Sequence, residues 1–183
     1  FPGGTREGRG GAPSAPPQPL QTRWLAPDDD AVFTLRIHGL GVTQVYRQDR
    51  LLTSADWTYA KPRELMYFLL AYPTRTKEQI GVALWPDASP TQLRSAIHSA
   101  LHRLRRALGQ HDCVLVEDEL YAFNRNISYW YDVEVFEAHL EASARLHGEF
   151  SPQAIHHLEA AVGLYKGDFL EGVAGAAEWV FLK

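Results

Sequence analysis

The spacing of hydrophobic positions changes several times along this chain, and each change predicts a new element. Residues 1–31 have no apolar period. FPGGTREGRGGAPSAPPQPLQ is dense in Gly and Pro and is expected to be a flexible linker, with Trp24 and Leu25 tacking its end onto the next domain. From Val32 the period is two: Phe33, Leu35 and Ile37 face one way, and Thr34, Arg36 and His38 the other, until Gly39 and Gly41 break the run. VTQVYR and QDRLL predict a second and third short strand around a turn at Gln48-Asp49, and so a small antiparallel sheet.

Helical spacing takes over from Lys61. In Lys61–Tyr72 the stripe is Leu65, Met66, Phe68, Leu69 and Tyr72; Pro62 sits in the permissive first turn and Pro73 ends the helix. Thr76 followed by Gln79 is a capping-box pattern opening a helix to Leu84, which Trp85-Pro86 stops. A third helix starts at Ser89 or Pro90 and ends at Gly109; its apolar residues Leu93, Ile97, Leu101, Leu104 and Leu108 recur at intervals of four, four, three and four. CVLVEDELYAF then reads as a hairpin with an acidic tip at Glu117-Asp118-Glu119. Strand, three helices and hairpin are the order of a winged helix, with the helix before the hairpin as recognition helix and the hairpin as wing.

From Asp132 the pattern is helical again. Asp132 is expected to cap a helix with the stripe Val135, Phe136, Leu140 and Ala144 and a C-cap at Gly148. Ser151-Pro152 caps a second helix, Gln153–Tyr165, before Lys166-Gly167, and Asp168-Phe169-Leu170 begins a third segment. Ala138, Ala144, Ala160 and Ala161 stand at close-packing positions of a tetratricopeptide-like antiparallel pair. The expected architecture is an α+β winged helix-turn-helix at 32–127, with a small N-terminal antiparallel sheet and a C-terminal hairpin wing. A truncated all-α, tetratricopeptide-like unit comes next at 128–183. The start at Phe1 and the end in Glu178-Trp-Val-Phe-Leu-Lys183 read as a fragment of a longer protein with a missing upstream domain.

A length of 183 residues allows one or two domains, and 45% apolar residues with 5 Trp, 8 Tyr and 8 Phe can build a core. The net charge of −4 is unevenly spread. Residues 1–31 carry three basic and four acidic groups (−1), residues 32–127 twelve and nine (+3), and residues 128–183 three and nine (−6). A basic module followed by an acidic one implies different partners for the two halves. Cys113 is the only cysteine, so no internal disulfide is possible, which fits a reducing cytoplasm; nothing around it marks a catalytic thiol. No apolar stretch reaches the ~18 residues of a membrane span, and no signal peptide is present, so the expected location is cytoplasmic with no membrane partner.

The stretch TQLRSAIHSALHRLRRAL carries the candidate chemistry. It has no acid and four arginines: Arg94, Arg103, Arg105 and Arg106. With its leucine stripe turned to a core, the other faces present Arg94, Ser95, His98, His102, Arg105 and Arg106. Surface helices that merely sit in solvent usually mix acids with bases, whereas an acid-free cationic face suits a phosphate-lined major groove. His98 and His102 stand four apart, but no ligand completes a metal site beside those arginines, and no cofactor is expected. Either Arg105 or Arg106 is expected to be structural, paired with an acid such as Glu78 or Glu117, and the other a phosphate contact. Lys77 opens a helix, where the N-terminus attracts phosphate. For Trp57 and Tyr59, core or sheet-edge packing is preferred over DNA contact. There is no phosphate-binding glycine loop, GxSxG or HExxH, so the chain is not expected to be an enzyme.

LRIHGLG, KPRELMYFLLAYP, ALWPDASP, LRSAIHSALHRLRRALG and YAFN resemble, in order, the DNA-binding domain of the SARP regulators, a subgroup of OmpR-like winged helix-turn-helix proteins. DVEVFEAHL and LEAAVGLYKGDFLEG are similar to the start of the bacterial transcriptional activation domain found next to it, and the resemblance covers about 32–183. It implies an activator that binds direct repeats in double-stranded promoter DNA as a side-by-side or head-to-tail homodimer. It also implies recruitment of RNA polymerase through the sigma factor and alpha subunit. Carried over by position, Thr91, Arg94, Ser95, His98, Ser99, His102 and Arg105 belong to the DNA-binding helix, with Arg103 and Arg106 on flanking phosphates. The wing departs from the pattern: Glu117-Asp118-Glu119 is acidic and lacks the usual Gly, which argues against its insertion in the minor groove. Two other readings stay open, an interaction module that does not itself bind DNA tightly, and an acidic module that folds back over the arginine helix.

Overall fold

The computed structural model describes residues 34–146, 151–173 and Trp179. The linker with Trp24 and Leu25, the inward-facing Phe33, the Gly148 cap and most of the stretch after Val173 lie outside the described residues.

Three short strands come first: β1 (Leu35–His38), β2 (Gln44–Arg47) and β3 (Arg50–Leu51). β1 and β2 pair antiparallel, Leu35 with Arg47 through His38 with Gln44, and β2 pairs antiparallel with β3. Leu35, Ile37 and Val45 are buried while Arg36 is exposed, so the period of two is read correctly. The sheet is not purely antiparallel, however. A later strand, β7 (Tyr129–Tyr131), adds beside β1 in parallel, Leu35 with Tyr129 through Ile37 with Tyr131, giving the order β3-β2-β1-β7. The boundary drawn at residue 128 assigns this strand to the helical unit, whereas its hydrogen bonds belong to the first sheet, so the two units share that sheet.

The helices are α1 (Ser54–Trp57), α2 (Ala60–Ala71), α3 (Lys77–Leu84) and α4 (Pro90–Leu108). α1 is a single turn that the pattern does not predict; it buries Trp57, and Tyr59 remains exposed. α2 is buried on more than one stripe, from Glu64 to Leu70 without interruption, because the sheet, α4 and the hairpin surround it. The Glu64 carboxylate is met by Lys61 Nζ at 2.7 Å. Both capping boxes form at the next two helix starts: Thr76 with Gln79, and Ser89 with Gln92. α3 and α4 come together at Gly81, where a Cβ would stand 2.5 Å from a Leu93 methyl, so a side chain there would force Leu93 to shift.

The hairpin is β5 (Val114–Glu117) and β6 (Leu120–Phe123), and a two-residue strand before α3, β4 (Arg75–Thr76), pairs with β6 to give the order β4-β6-β5. Three helices and a hairpin anchored to the second helix make the winged-helix order expected from the sequence.

α5 (Asp132–Arg145) continues from β7 without a break, and α6 (Pro152–Leu164) lies against it. Asp132 does not cap its own helix. Its carboxylate turns to the end of β1 and accepts from Gly39 N at 2.7 Å and Leu40 N at 3.0 Å, two backbone donors that the sheet leaves unpaired. On α5 the buried residues are Asp132, Val135 and Ala138; Phe136 is half-buried, and Leu140 and Ala144 are exposed, so the predicted stripe is only partly covered. Ser151 caps α6 as expected, its Oγ accepting from Ala154 N at 3.0 Å. The segment after α6 bridges back to the β1–β2 connection, Leu40 with Phe169 and Val42 with Glu171. Trp179 closes on α2, its carbonyl accepting from Tyr72 Oη at 2.8 Å and its ring lying edge-on to Phe68 at 5.4 Å. No described helix is long and apolar enough to cross a membrane.

Candidate nucleic-acid interface

α4 is fixed at three places before any ligand arrives. Its start is closed by the Ser89 capping box with Pro90 at the first helical position. Leu93, Ile97, Leu101, Leu104 and Leu108 are all buried, which fixes its rotation about its own axis. Its end closes on Gly109, whose φ of +66° favours a residue without Cβ and whose N–H reaches the carbonyls of Arg105 and Arg106. Arg47 of β2 donates to the Ala107 carbonyl at 3.3 Å, placing a cation on the negative end of the helix.

The solvent side of α4 then carries Thr91, Arg94, Ser95, His98, Ser99, His102 and Arg106, all exposed. Among the described residues the ion pairs engage Arg50, Arg125, Arg145, Lys61, Lys77 and His38, and none engages an arginine of α4. The face is therefore cationic and not internally neutralised. On one flank, Arg94, Ser95 and His98 border a groove of about 490 Å³ between α4 and the hairpin, floored by Ile97, Leu101, Val116 and Tyr121. On the other flank, His98, Ser99, His102, Arg103 and Arg106 face Asp56 and Thr58 of the α1 turn. Asp56 is already committed: Arg50 holds both its oxygens, at 2.6 and 3.1 Å, and Thr53 N donates to it at 2.8 Å. The Arg50 hydrogen bonds hold that carboxyl well below the usual carboxylate range.

Two of the four arginines are not simply displayed. Arg105 is half-buried and turned into the hairpin, where its guanidinium donates to the Val114 carbonyl at 3.2 Å. It is the structural one of the Arg105-Arg106 pair, but its partner is a backbone carbonyl rather than Glu78 or Glu117. Arg103 is half-buried with its guanidinium over the Tyr59 ring at 5.0 Å from the centroid. For Tyr59 the sequence favours packing over DNA contact, whereas its ring is exposed and lies under Arg103; an aromatic beside a helix N-terminus gives no sign of which distant arginine it will meet. Lys77 begins α3 as expected, and its Nζ lies 3.4 Å from the exposed Glu78 carboxylate.

The hairpin tip is a two-residue turn with Asp118 at φ 49° and Glu119 at φ 64°, both left-handed without being glycine. Glu119 borders a pocket with Lys77, Arg94, Val116 and Tyr121, so the wing brings negative charge next to two of the candidate DNA contacts. Cys113 at the hairpin base is buried, and burial pushes its thiol up to about 11. Of the acidic helices, α5 packs on β1 and β7 and α6 packs on α5, and among the described residues none of these covers the cationic face of α4, which is exposed.

This fold has a solved counterpart. It is similar to that of EmbR from Mycobacterium tuberculosis, determined in complex with a low-affinity phosphopeptide, with a TM-score of 0.58 and 23% sequence identity. The likeness covers 77% of this chain and 38% of that one, so this chain spans well under half of EmbR. At this identity the likeness concerns the fold. No family model and no curated protein matches the chain.

Proposed function

We propose that this chain is a DNA-binding transcription regulator of the SARP type, acting by binding without chemistry, with 32–127 as its DNA-binding unit and 128–183 as the start of an activation unit. The observation that carries this reading is α4: a helix capped at both ends, docked by five leucine-type side chains, and presenting an acid-free face whose arginines have no ion-pair partner among the described residues. α4 enters the major groove. Arg94, Ser95, His98 and His102 face base edges, while Arg103 and Arg106 hold flanking phosphates, Arg103 steadied by Tyr59. Arg105 supports the hairpin from behind. Lys77 reaches the backbone from the start of α3. The chain binds direct repeats in promoter DNA as a pair of copies and recruits RNA polymerase through the sigma factor and alpha subunit from the cytoplasmic side.

The acidic wing favours a second reading. Leu115, Val116 and Leu120 are exposed next to Glu117, Asp118 and Glu119, a surface better suited to protein than to phosphate, as in an interaction module of a larger sensor. Selection of bound sequences from a random duplex library, followed by binding of the winner at two salt concentrations, separates the two. An enriched direct repeat with a steep salt slope supports the activator. No enrichment by folded protein overturns it and transfers the weight to the interaction module.

A further inference from the structure

Away from α4, one pair of titratable side chains meets across two helices. His139 of α5 and His157 of α6 place their Nδ1 atoms 3.0 Å apart, with ring centroids 5.3 Å apart. The seam around them is made of small buried residues, Ala138, Ala154 and Ala161, so the helices lie close, with both rings half-buried in it. The ring of His156 lies 5.9 Å from that of His157.

A hydrogen bond between two imidazole nitrogens needs one donor and one acceptor. Two neutral rings satisfy this, and so does one neutral ring with one protonated ring. Two protonated rings present N–H to N–H and repel.

Among the described residues the ion pairs include neither ring. The residues three and four positions from His139 are Val135, Phe136, Ala142 and Ser143, and from His157 they are Gln153, Ala154, Ala160 and Ala161, none of them charged. Glu137 and Glu159 stand two residues from the pair, on other, exposed faces of their helices. Glu134 is taken by Arg125 at 3.1 Å and Tyr129 at 2.6 Å, and Glu141 by Arg145. From the sheet side the facing charges are His38 and Asp132, which pair with each other at 3.7 Å. Asp132 begins α5, about 10 Å along the axis from His139.

We propose that the His139–His157 contact is a proton-sensitive latch. It holds α6 against α5 while at most one ring is protonated, and it frees α6 when both are. Burial first, then the like charges of His157 and His156, holds His139 below the ordinary histidine range. A group lowered in this way binds its proton more readily in the opened state. Its stabilising effect is present above the ordinary histidine range and is lost as pH falls through it. The opening is local, because the segment after α6 stays anchored by Gly41 N donating to the Asp168 carbonyl at 3.0 Å and by the bridges of Phe169 and Glu171.

Amide hydrogen exchange on the full chain, with a chelator present so that protons alone vary, tests this at about pH 8 and about pH 5.5. Protection of α6 relative to α2, corrected for the intrinsic pH effect, should fall about tenfold in the unmodified chain and hold within about twofold in His139→Gln and His157→Gln. An unchanged ratio in the unmodified chain overturns the latch, and so does an equal fall in either folded variant. A second measurement reads one ring directly: in an NMR titration His139 should take up its proton below the ordinary histidine range in the unmodified chain and nearer to that range in His157→Gln. A His139 curve unmoved by that substitution overturns the proposal.

Discussion

In α4 the side chains withdrawn from water are Leu93, Ile97, Leu101, Leu104 and Leu108, with Ala100 and Ala107 between them. In α6 they are Ala154 and Ala161, while Ile155, Leu158, Val162 and Tyr165 stay exposed. Both helices have an apolar pattern, and the difference lies in their neighbours. α4 is met by α1, α2 and α3, so every leucine finds a partner and the residues left outside are polar ones. α6 has one extensive neighbour, α5, and meets it through alanines that bring the backbones together. A hydrophobic pattern thus reports burial only where several elements converge. The exposed residues of α4 are what remains after the core is satisfied, which is why that face is the better candidate for a ligand.

The comparison can be broken by truncating each helix at its apolar face. Leu104→Ala removes a fully buried side chain and should cost about 2–5 kcal/mol in urea unfolding, the range for leucine deletions in cores. A loss below about 1 kcal/mol would mean that the α4 core is far looser than its burial implies. Asp132→Ala tests the joint between the two regions: two backbone N–H groups lose their acceptor, and a loss of about 2–3 kcal/mol is expected, with an unchanged midpoint as the contrary result. Arg94→Ala should leave stability nearly unchanged. It should weaken a selected site by about 1–3 kcal/mol more than random duplex, whereas equal weakening on both would make Arg94 a phosphate contact only. Lys77→Ala should weaken both duplexes alike and shallow the salt slope by about one unit. Smallest of all is Leu158→Ala on the exposed face of α6, within about 0.5 kcal/mol.

Much of the framework was legible because its signals are local. The α4 stripe, Gly109, the Thr76 and Ser151 caps and the acidic turn each occupy a few adjacent residues. What escaped depends on distant partners. β7 is only Tyr129-Trp130-Tyr131, and its place beside β1 is set by residues 94 positions away, as Leu35 with Tyr129 shows. β4 is two residues long and exists as a strand only because β6 runs past it. Asp132 has the form of an N-cap, yet it serves the backbone of Gly39 and Leu40, a choice no local pattern contains. In the candidate site, the composition of α4 identified the face. Its division into exposed Arg94 and Arg106, ring-supported Arg103 and hairpin-bound Arg105 needed the positions of Tyr59 and Val114.

β7 ends at Tyr131 and α5 begins at Asp132, with no residue between them and with the Asp132 carboxylate fastened to the end of the neighbouring strand β1. The joint therefore has no hinge. Moving α5 away from the first sheet means breaking the two hydrogen bonds of Asp132 to Gly39 and Leu40. A ligand on α4 and a partner on α5 would then be set at the bearing that this joint gives them. Information can pass between them by loosening a helix in place.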